Sequence, residues 1–293
     1  MATIYLVWGS TYLAMRITDR TLPPLLMSAS RFAVAGVVLY ALTRRAARAT
    51  RREWLNAAIV GTALLGIGNA GVAWAETRLN SGIAALIVAV IPLYVALLDR
   101  ALFGRRLSVV AVAGLVLGFI GVALLVRPGG AGDVFAALVL LGTTFGWAAG
   151  SIYARGAQLP KNVLRSAAMQ MLCASVVLGI GGLVRGEASQ VHAGAFRTGT
   201  VIAFAYLVLF GSLLAFSAYA WLLKNVRISI VATYAFVNPV VAVVLGALFL
   251  SEAITTTTLV AGGAIVIAVV LIVGARPPRP RPAAKLEPAT LQT

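Results

Sequence analysis

The sequence is short of charge, and shortest of acid. Only 11% of its 293 residues are charged, and Asp and Glu number eight against 24 Lys and Arg. Soluble domains are about 25% charged and roughly 45–50% apolar, whereas this chain is 61% hydrophobic. So little charge cannot cover a water-facing surface around so large an apolar content, which excludes an ordinary soluble domain. The single cysteine, Cys173, can form no disulfide within the chain. The single histidine, His192, lies in a polar stretch, and without a Cys/His cluster no transition-metal site is expected. No nucleotide-binding loop of the Gly-rich, Lys-Ser/Thr type occurs, so ATP drive within the chain is not expected. No Ser-His-Asp or metal motif points to an enzyme, and no cofactor is expected. Met1 leads straight into apolar sequence without a basic n-region or cleavage site, so no signal peptide is expected.

What fills the chain is a series of apolar runs, each near the ~20 residues that a spanning helix requires. They lie at about 3–18, 24–42, 55–75, 82–102, 107–126, 133–154, 163–184, 199–223, 228–250 and 256–275. Runs such as 108–126 are apolar on every side, where a membrane barrel would alternate. In lipid the remaining way to pair every backbone group is the helix. The expected fold is therefore an all-α membrane protein with about ten transmembrane helices. The tail 276–293, opening Arg-Pro-Pro-Arg-Pro-Arg-Pro, cannot sustain a helix and is expected to be disordered.

The net charge of +16 lies in short loops and carries no basic stripe with interleaved aromatics, so nucleic acid is not an expected partner. Its distribution orients the chain instead. With both termini in the cytoplasm, Lys and Arg on that side number five in 44–52, three in 100–106, three in 155–165, two in 224–227 and four in the tail, against six on the other side. This is the positive-inside pattern and predicts cytoplasmic N and C termini.

The chain also repeats itself. Trp8 and Arg16 recur as Trp147 and Arg155 at an offset of 139, which also sets Arg31 on Gln170. Trp74 and Pro92 recur as Trp221 and Pro239 at an offset of 147. Two repeats follow, 1–130 and 131–275, each with five spans. Because five is odd, the second repeat enters the membrane inverted, a transporter architecture whose substrate site lies near the midplane between the halves.

Trp8-Gly9-Ser10-Thr11-Tyr12, the prolines Pro92 and Pro239, and Phe249-Leu250-Ser251-Glu252 resemble the drug/metabolite transporter superfamily, in its EamA-domain branch. The likeness spans both halves. The chain departs from the pattern at Arg105, where the first half should carry a Glu, and at Ala148-Ala149, where the second lacks Gly-Ser. The resemblance implies a multi-pass transporter of the bacterial inner membrane, similar to ten-helix exporters of amino acids and related metabolites. Its expected partners are a small-molecule substrate and membrane lipid, and a monomer is expected. A multidrug or other metabolite carrier, a channel and a structural membrane subunit are the alternatives.

Candidate substrate contacts are the residues that fall near span centres: Trp8, Ser10, Thr11, Arg31, Tyr94, Trp147, Gln170 and Asn238. The aromatics suit either core packing or a stacking box for an apolar side chain. Arg31 suits either a substrate carboxylate or snorkelling to the interface. Pro92 and Pro239 each remove a backbone donor, giving either a static kink or a moving hinge. The eight acids all read as loop or helix-end residues, with Glu76 and Asp99 the nearest to the membrane interior. With no carboxylate or histidine at the centre, transport is expected to be facilitated diffusion, without obligatory proton or sodium coupling.

Overall fold

A computed structural model of the chain describes residues 1–104, 108–126 and 133–274. Arg105 and the tail from Arg276 lie outside the described residues. Among the described residues all regular structure is helical. The helices are α1 (Ala2–Thr18), α2 (Pro24–Leu42), α3 (Arg51–Gly61), α4 (Ala70–Glu76), α5 (Ser81–Val88), α6 (Ile91–Phe103) and α7 (Val109–Val126). They continue with α8 (Val134–Gly156), α9 (Val163–Val184), α10 (Thr198–Tyr206), α11 (Ser217–Asn225), α12 (Ile228–Val231), α13 (Tyr234–Leu250) and α14 (Thr256–Gly274).

Several of these join into longer rods. A π-helical stretch, Thr62–Asn69, links α3 to α4, and a second, Leu207–Phe216, links α10 to α11. Among the described residues, these two rods, together with α2, the α5–α6 pair, α8 and α9, give six segments long and apolar enough to cross a bilayer; shorter apolar helices lie in α7, α13 and α14. Large apolar side chains face outward along the bundle, among them Leu42 at 73% exposure, Val109 at 86% and Leu248 at 72%. In water such a surface would aggregate, whereas in lipid it is the solvated one.

Helices in corresponding positions of the two sequence repeats lie side by side. The most extensive packing joins α2 to α9 and α7 to α14, and α1 packs on α13 as α8 packs on the first π stretch and on α6. Small residues allow the closest approaches. A β-carbon at Gly114 would stand 2.8 Å from the Ala268 carbonyl of α14, and one at Gly118 would stand 3.2 Å from the Ala268 side chain. Without a hydrophobic drive between helices in lipid, such contacts supply much of their association.

The prolines are placed differently in the two halves. Pro92 sits in the first turn of α6, after a break at Ala89–Val90 that separates it from α5. A missing N–H is harmless there. Pro239 lies inside α13, while the break on that side falls earlier, at Ala232–Thr233.

Side-chain bonds between loops define the two ends of the bundle. At one, Thr21 bonds Thr200 at 2.9 Å, Glu187 reaches the start of α2, and Glu252 reaches the start of α5. At the other, Lys224 donates to the Pro160 carbonyl at 2.6 Å and Asn56 to that of Gln158 at 2.9 Å.

Candidate functional site

Inside the bundle lies a cavity of about 50 Å³, room for a few waters at roughly 10–15 Å³ each. Trp8, Thr11, Tyr12 and Met15 of α1 form one wall, and Gly68, Asn69 and Val72 of the first π stretch and α4 form another. Val88, Ile91, Thr144, Trp147, Tyr234 and Asn238 complete it, so residues of both repeats contribute. The steps of three and four between the α1 residues put them on one helix face.

One side of the cavity is an aromatic box. The Trp8 ring lies 5.5 Å from Trp147, 4.9 Å from Tyr219 and 5.3 Å from Tyr234, measured between centroids. The Trp147 indole donates to the Tyr219 hydroxyl at 3.1 Å, which also bonds Ser151 at 2.8 Å. Trp8 donates to the Gly211 carbonyl at 3.4 Å. Tyr5 bonds Thr233 on the same side. The Asn238 amide nitrogen faces two carbonyls, of Tyr5 at 2.9 Å and Tyr234 at 3.3 Å. Among the lining residues, the Asn69 side-chain oxygen is buried without a hydrogen-bond partner.

Of the sequence candidates, Trp8, Thr11, Trp147 and Asn238 line this cavity. The other four lie elsewhere in the bundle. Ser10 turns its hydroxyl to the Leu6 and Val7 carbonyls and to Tyr206 at 2.6 Å, because it lies two residues from Trp8 and so across the helix. Tyr94 packs edge-on against Phe145, with centroids 5.4 Å apart. Gln170 donates to Ser166 on its own helix at 3.0 Å, in the seam between α9 and α3. Arg31 is 2% exposed, so it does not snorkel. Its Nε donates to Ser212 at 2.8 Å and its guanidinium lies 4.9 Å from the Phe32 ring centroid. Tyr12, Asn69, Tyr219 and Tyr234 are the contributors that sequence reasoning left out of the site. Their polar or aromatic character in apolar runs was the available signal.

The acids also depart from expectation. Glu53 closes a capping box with Thr50, and Asp133 caps α8 while pairing with Arg78 at 3.9 Å. Glu187 and Glu252 cap helices of the other repeat. Glu187 accepts from the Leu26 amide at 2.9 Å, and Glu252 accepts from the Ser81 amide at 3.0 Å and the Ser81 hydroxyl at 2.8 Å. Both place negative charge where a helix N-terminus favours it. Glu76 and Asp19 are different. Glu76 is fully buried, and neither its oxygens nor those of Asp19 have a hydrogen-bond partner. A helix end thus does not ensure contact with water: α4, which Glu76 ends, packs against α1, α2, α5 and α8. Just beyond α1, burial pushes the Asp19 carboxyl well above the usual carboxylate range, against the pull of Arg16 and Arg31 and with added repulsion from Glu187.

Comparison with known proteins agrees with this architecture. The sequence pattern of the EamA-like transporter family matches residues 1–127 and again 134–274. The chain is 39% identical over 247 residues to the uncharacterized inner membrane transporter YedA of Escherichia coli (strain K12), covering 83% of this chain and 79% of that one. It is 24% identical to a probable amino-acid metabolite efflux pump of the same organism, over 86% of each chain. A crystal structure of a protein 20% identical in sequence superposes with a TM-score of 0.68 over 92% of this chain and 94% of the other, which shows a common fold. By the match along both segments and the likeness to YedA, the chain belongs to the EamA-like transporter family.

Proposed function

We propose that the protein is a carrier that exports small amphiphilic metabolites, foremost amino acids with aromatic or other apolar side chains. The observation that carries this reading is the cavity. It is walled by Trp8, Trp147 and Tyr234, drawn from both repeats, with the polar side chains Thr11, Asn69, Thr144 and Asn238 in the same lining. Stacking surfaces suit an apolar side chain, and a few placed polar groups orient it. The relative named as an amino-acid metabolite efflux pump supports the substrate class.

In this reading the two repeats, 1–130 and 131–275, are inverted in the membrane and rock against each other, exposing the cavity to one side and then the other. Both termini lie in the cytoplasm of a bacterial cell, and the chain works as a monomer in the inner membrane. The breaks beside Pro92 and ahead of Pro239 are the hinges. Transport is facilitated diffusion, a reading supported by a cavity lining that holds neither carboxylate nor histidine. The closely packed rings of Trp8, Tyr219 and Tyr234 favour a carrier over an open channel.

The test is a flux screen of the twenty amino acids and a few cationic dyes in proteoliposomes. Saturable, competable flux of apolar amino acids is expected. Linear flux without saturation would give a channel, and preference for the dyes a multidrug carrier.

A further inference from the structure

We propose that Asp19, Glu76 and Arg16, with Arg31 behind them, form a head-group site for a zwitterion, a second station on the path from the aromatic box. The inference rests on the carrier reading above and deepens it.

The site lies beyond the cavity lining, along the same helix faces. On α1 the wall residues Trp8, Thr11, Tyr12 and Met15 are followed on the same face by Arg16, four residues past Tyr12, and Asp19, four past Met15. On the facing rod Asn69 and Val72 line the cavity, and Glu76 comes one turn later. A rise of 1.5 Å per residue sets the charged layer about 6 Å beyond the wall. This is the end of the bundle where Glu187 and Glu252 make their caps.

The charged groups reach one another without satisfying one another. Asp19 interacts electrostatically with Arg16 and Arg31, and Glu76 with Asp19, Arg16 and Glu252. Yet both Asp19 oxygens, both Glu76 oxygens, the Arg16 Nε and the Arg31 Nη1 lack hydrogen-bond partners. Charges inside a membrane protein are costly unless paired, and they mark substrate paths. Glu187 and Glu252, by contrast, are engaged by backbone amides.

The donor set selects the ligand. When ionised, the two carboxylates accept only, and the two guanidiniums donate only. An ionised carboxylate is costly in so buried a place until a cation meets it, so a net-neutral ligand that itself carries both signs fits best. An ammonium would meet Glu76 and Asp19, and a carboxylate would meet Arg16 and Arg31. A metal cation would face two guanidiniums, and a simple anion two carboxylates. An amphiphilic zwitterion could keep its apolar end against Trp8 and Trp147 while its head group engages this layer.

The test uses three probes with one ring and different heads: L-phenylalanine, phenethylamine and 3-phenylpropionate. Binding to the purified full-length protein and flux in proteoliposomes are both measured. Glu76→Gln and Asp19→Asn should weaken L-phenylalanine and phenethylamine about tenfold, the order expected for losing a charge-assisted bond, and spare 3-phenylpropionate. Arg16→Gln should weaken L-phenylalanine and 3-phenylpropionate and spare the amine. Thermal unfolding identifies the variants that remain folded, and having two acid variants guards against the loss of one. Equal loss for all three probes, or unchanged selectivity in folded variants, would overturn the site. Accumulation driven by a pH gradient, lost in Glu76→Gln with probe selectivity intact, would assign Glu76 to a proton and overturn it as well. Wild-type protein that binds none of the probes would sink the carrier reading together with this one. Wild-type binding that ignores head-group charge would sink this one alone.

Discussion

Trp8 and Trp147, 139 positions apart in the sequence, meet edge to face with ring centroids 5.5 Å apart and planes at 85°. Each belongs to the cavity wall of its own repeat, so the pair joins the two halves where they enclose the cavity. Tyr219 links them further, because it accepts the Trp147 indole proton while its ring lies 4.9 Å from that of Trp8.

Shortening either ring should therefore change what fits. Trp8→Ala and Trp147→Ala are expected to weaken flux of phenylalanine and tryptophan more than that of alanine or serine. Trp147 is 8% exposed, and truncating a buried Trp costs about 3–5 kcal/mol. Trp147→Phe is the milder companion, which keeps a ring and loses the bond to Tyr219. Competition assays in proteoliposomes read the selectivity. Proportional loss for large and small substrates in folded variants would count against the box.

Glu252 and Ser81 form a clasp between the repeats. Glu252 lies just past α13 and takes both the amide and the hydroxyl of the first residue of α5. Hydrogen bonds to charged groups contribute about 1.5–3 kcal/mol. Glu252→Gln should lower thermal stability by roughly that amount, and Ser81→Ala by less. A double-mutant cycle should give less than additive loss, because both changes remove the same bond. Additive losses would show that the clasp is not a unit.

Much of the fold was legible in the sequence. The apolar run at 55–75 is the rod Arg51–Glu76, and the run at 82–102 is Ser81–Phe103. The offset Trp pair anticipated a meeting of the halves. Helix faces were not legible, because a span apolar toward both lipid and core has no strong polar side to orient it. Ser10 and Thr11 are neighbours in such a run, and only Thr11 reaches the cavity. The two π stretches leave no mark in apolar composition, although both carry glycines beside the site, Gly68 against Trp147 and Gly211 against Arg31. Glu76 read as one of the two acids nearest the membrane interior, but its complete burial depends on packing between helices distant in the sequence.

Ser251 holds a left-handed backbone, with φ 55° and ψ 32°, at the end of α13. Left-handed geometry costs a residue with a β-carbon about 1–2 kcal/mol, partly offset by the greater freedom glycine loses on folding. Ser251→Gly should raise thermal stability by up to about 1 kcal/mol and leave the Glu252 clasp in place. A lower unfolding temperature would mean that the Ser251 side chain contributes more than its backbone costs.

The inverted arrangement proposed above has a topological consequence. Single cysteines at Arg48 and Arg197, in a background with Cys173 replaced, should label from opposite faces of the membrane. Arg48 lies between α2 and α3, and Arg197 immediately precedes α10. Membrane-impermeant maleimide applied to right-side-out vesicles should reach Arg197→Cys alone. Labelling of both from one side would refute the orientation.

Two glycines should respond differently to one added methyl group. A β-carbon at Gly61 would fall on the Gln170 carbonyl and stand 2.9 Å from that residue's Cα, so it meets the backbone of α9. Backbone packed inside a helix cannot step aside, and Gly61→Ala must push α3 and α9 apart. A β-carbon at Gly71 would instead meet the Thr143 side chain of α8, including its Cβ. Overpacking of this kind costs about 1–3 kcal/mol, so both single variants should unfold at lower temperature. Thr143→Ala should rescue Gly71→Ala only in part, since the clashing Cβ remains. Thr143→Gly removes that atom and should restore most of the loss, less about 1 kcal/mol for a glycine within a helix. No side-chain change at Gln170 should rescue Gly61→Ala, because the obstruction is main chain. Rescue of Gly61→Ala by Gln170→Ala, read in the same thermal assay, would show that α3 and α9 approach through side chains instead.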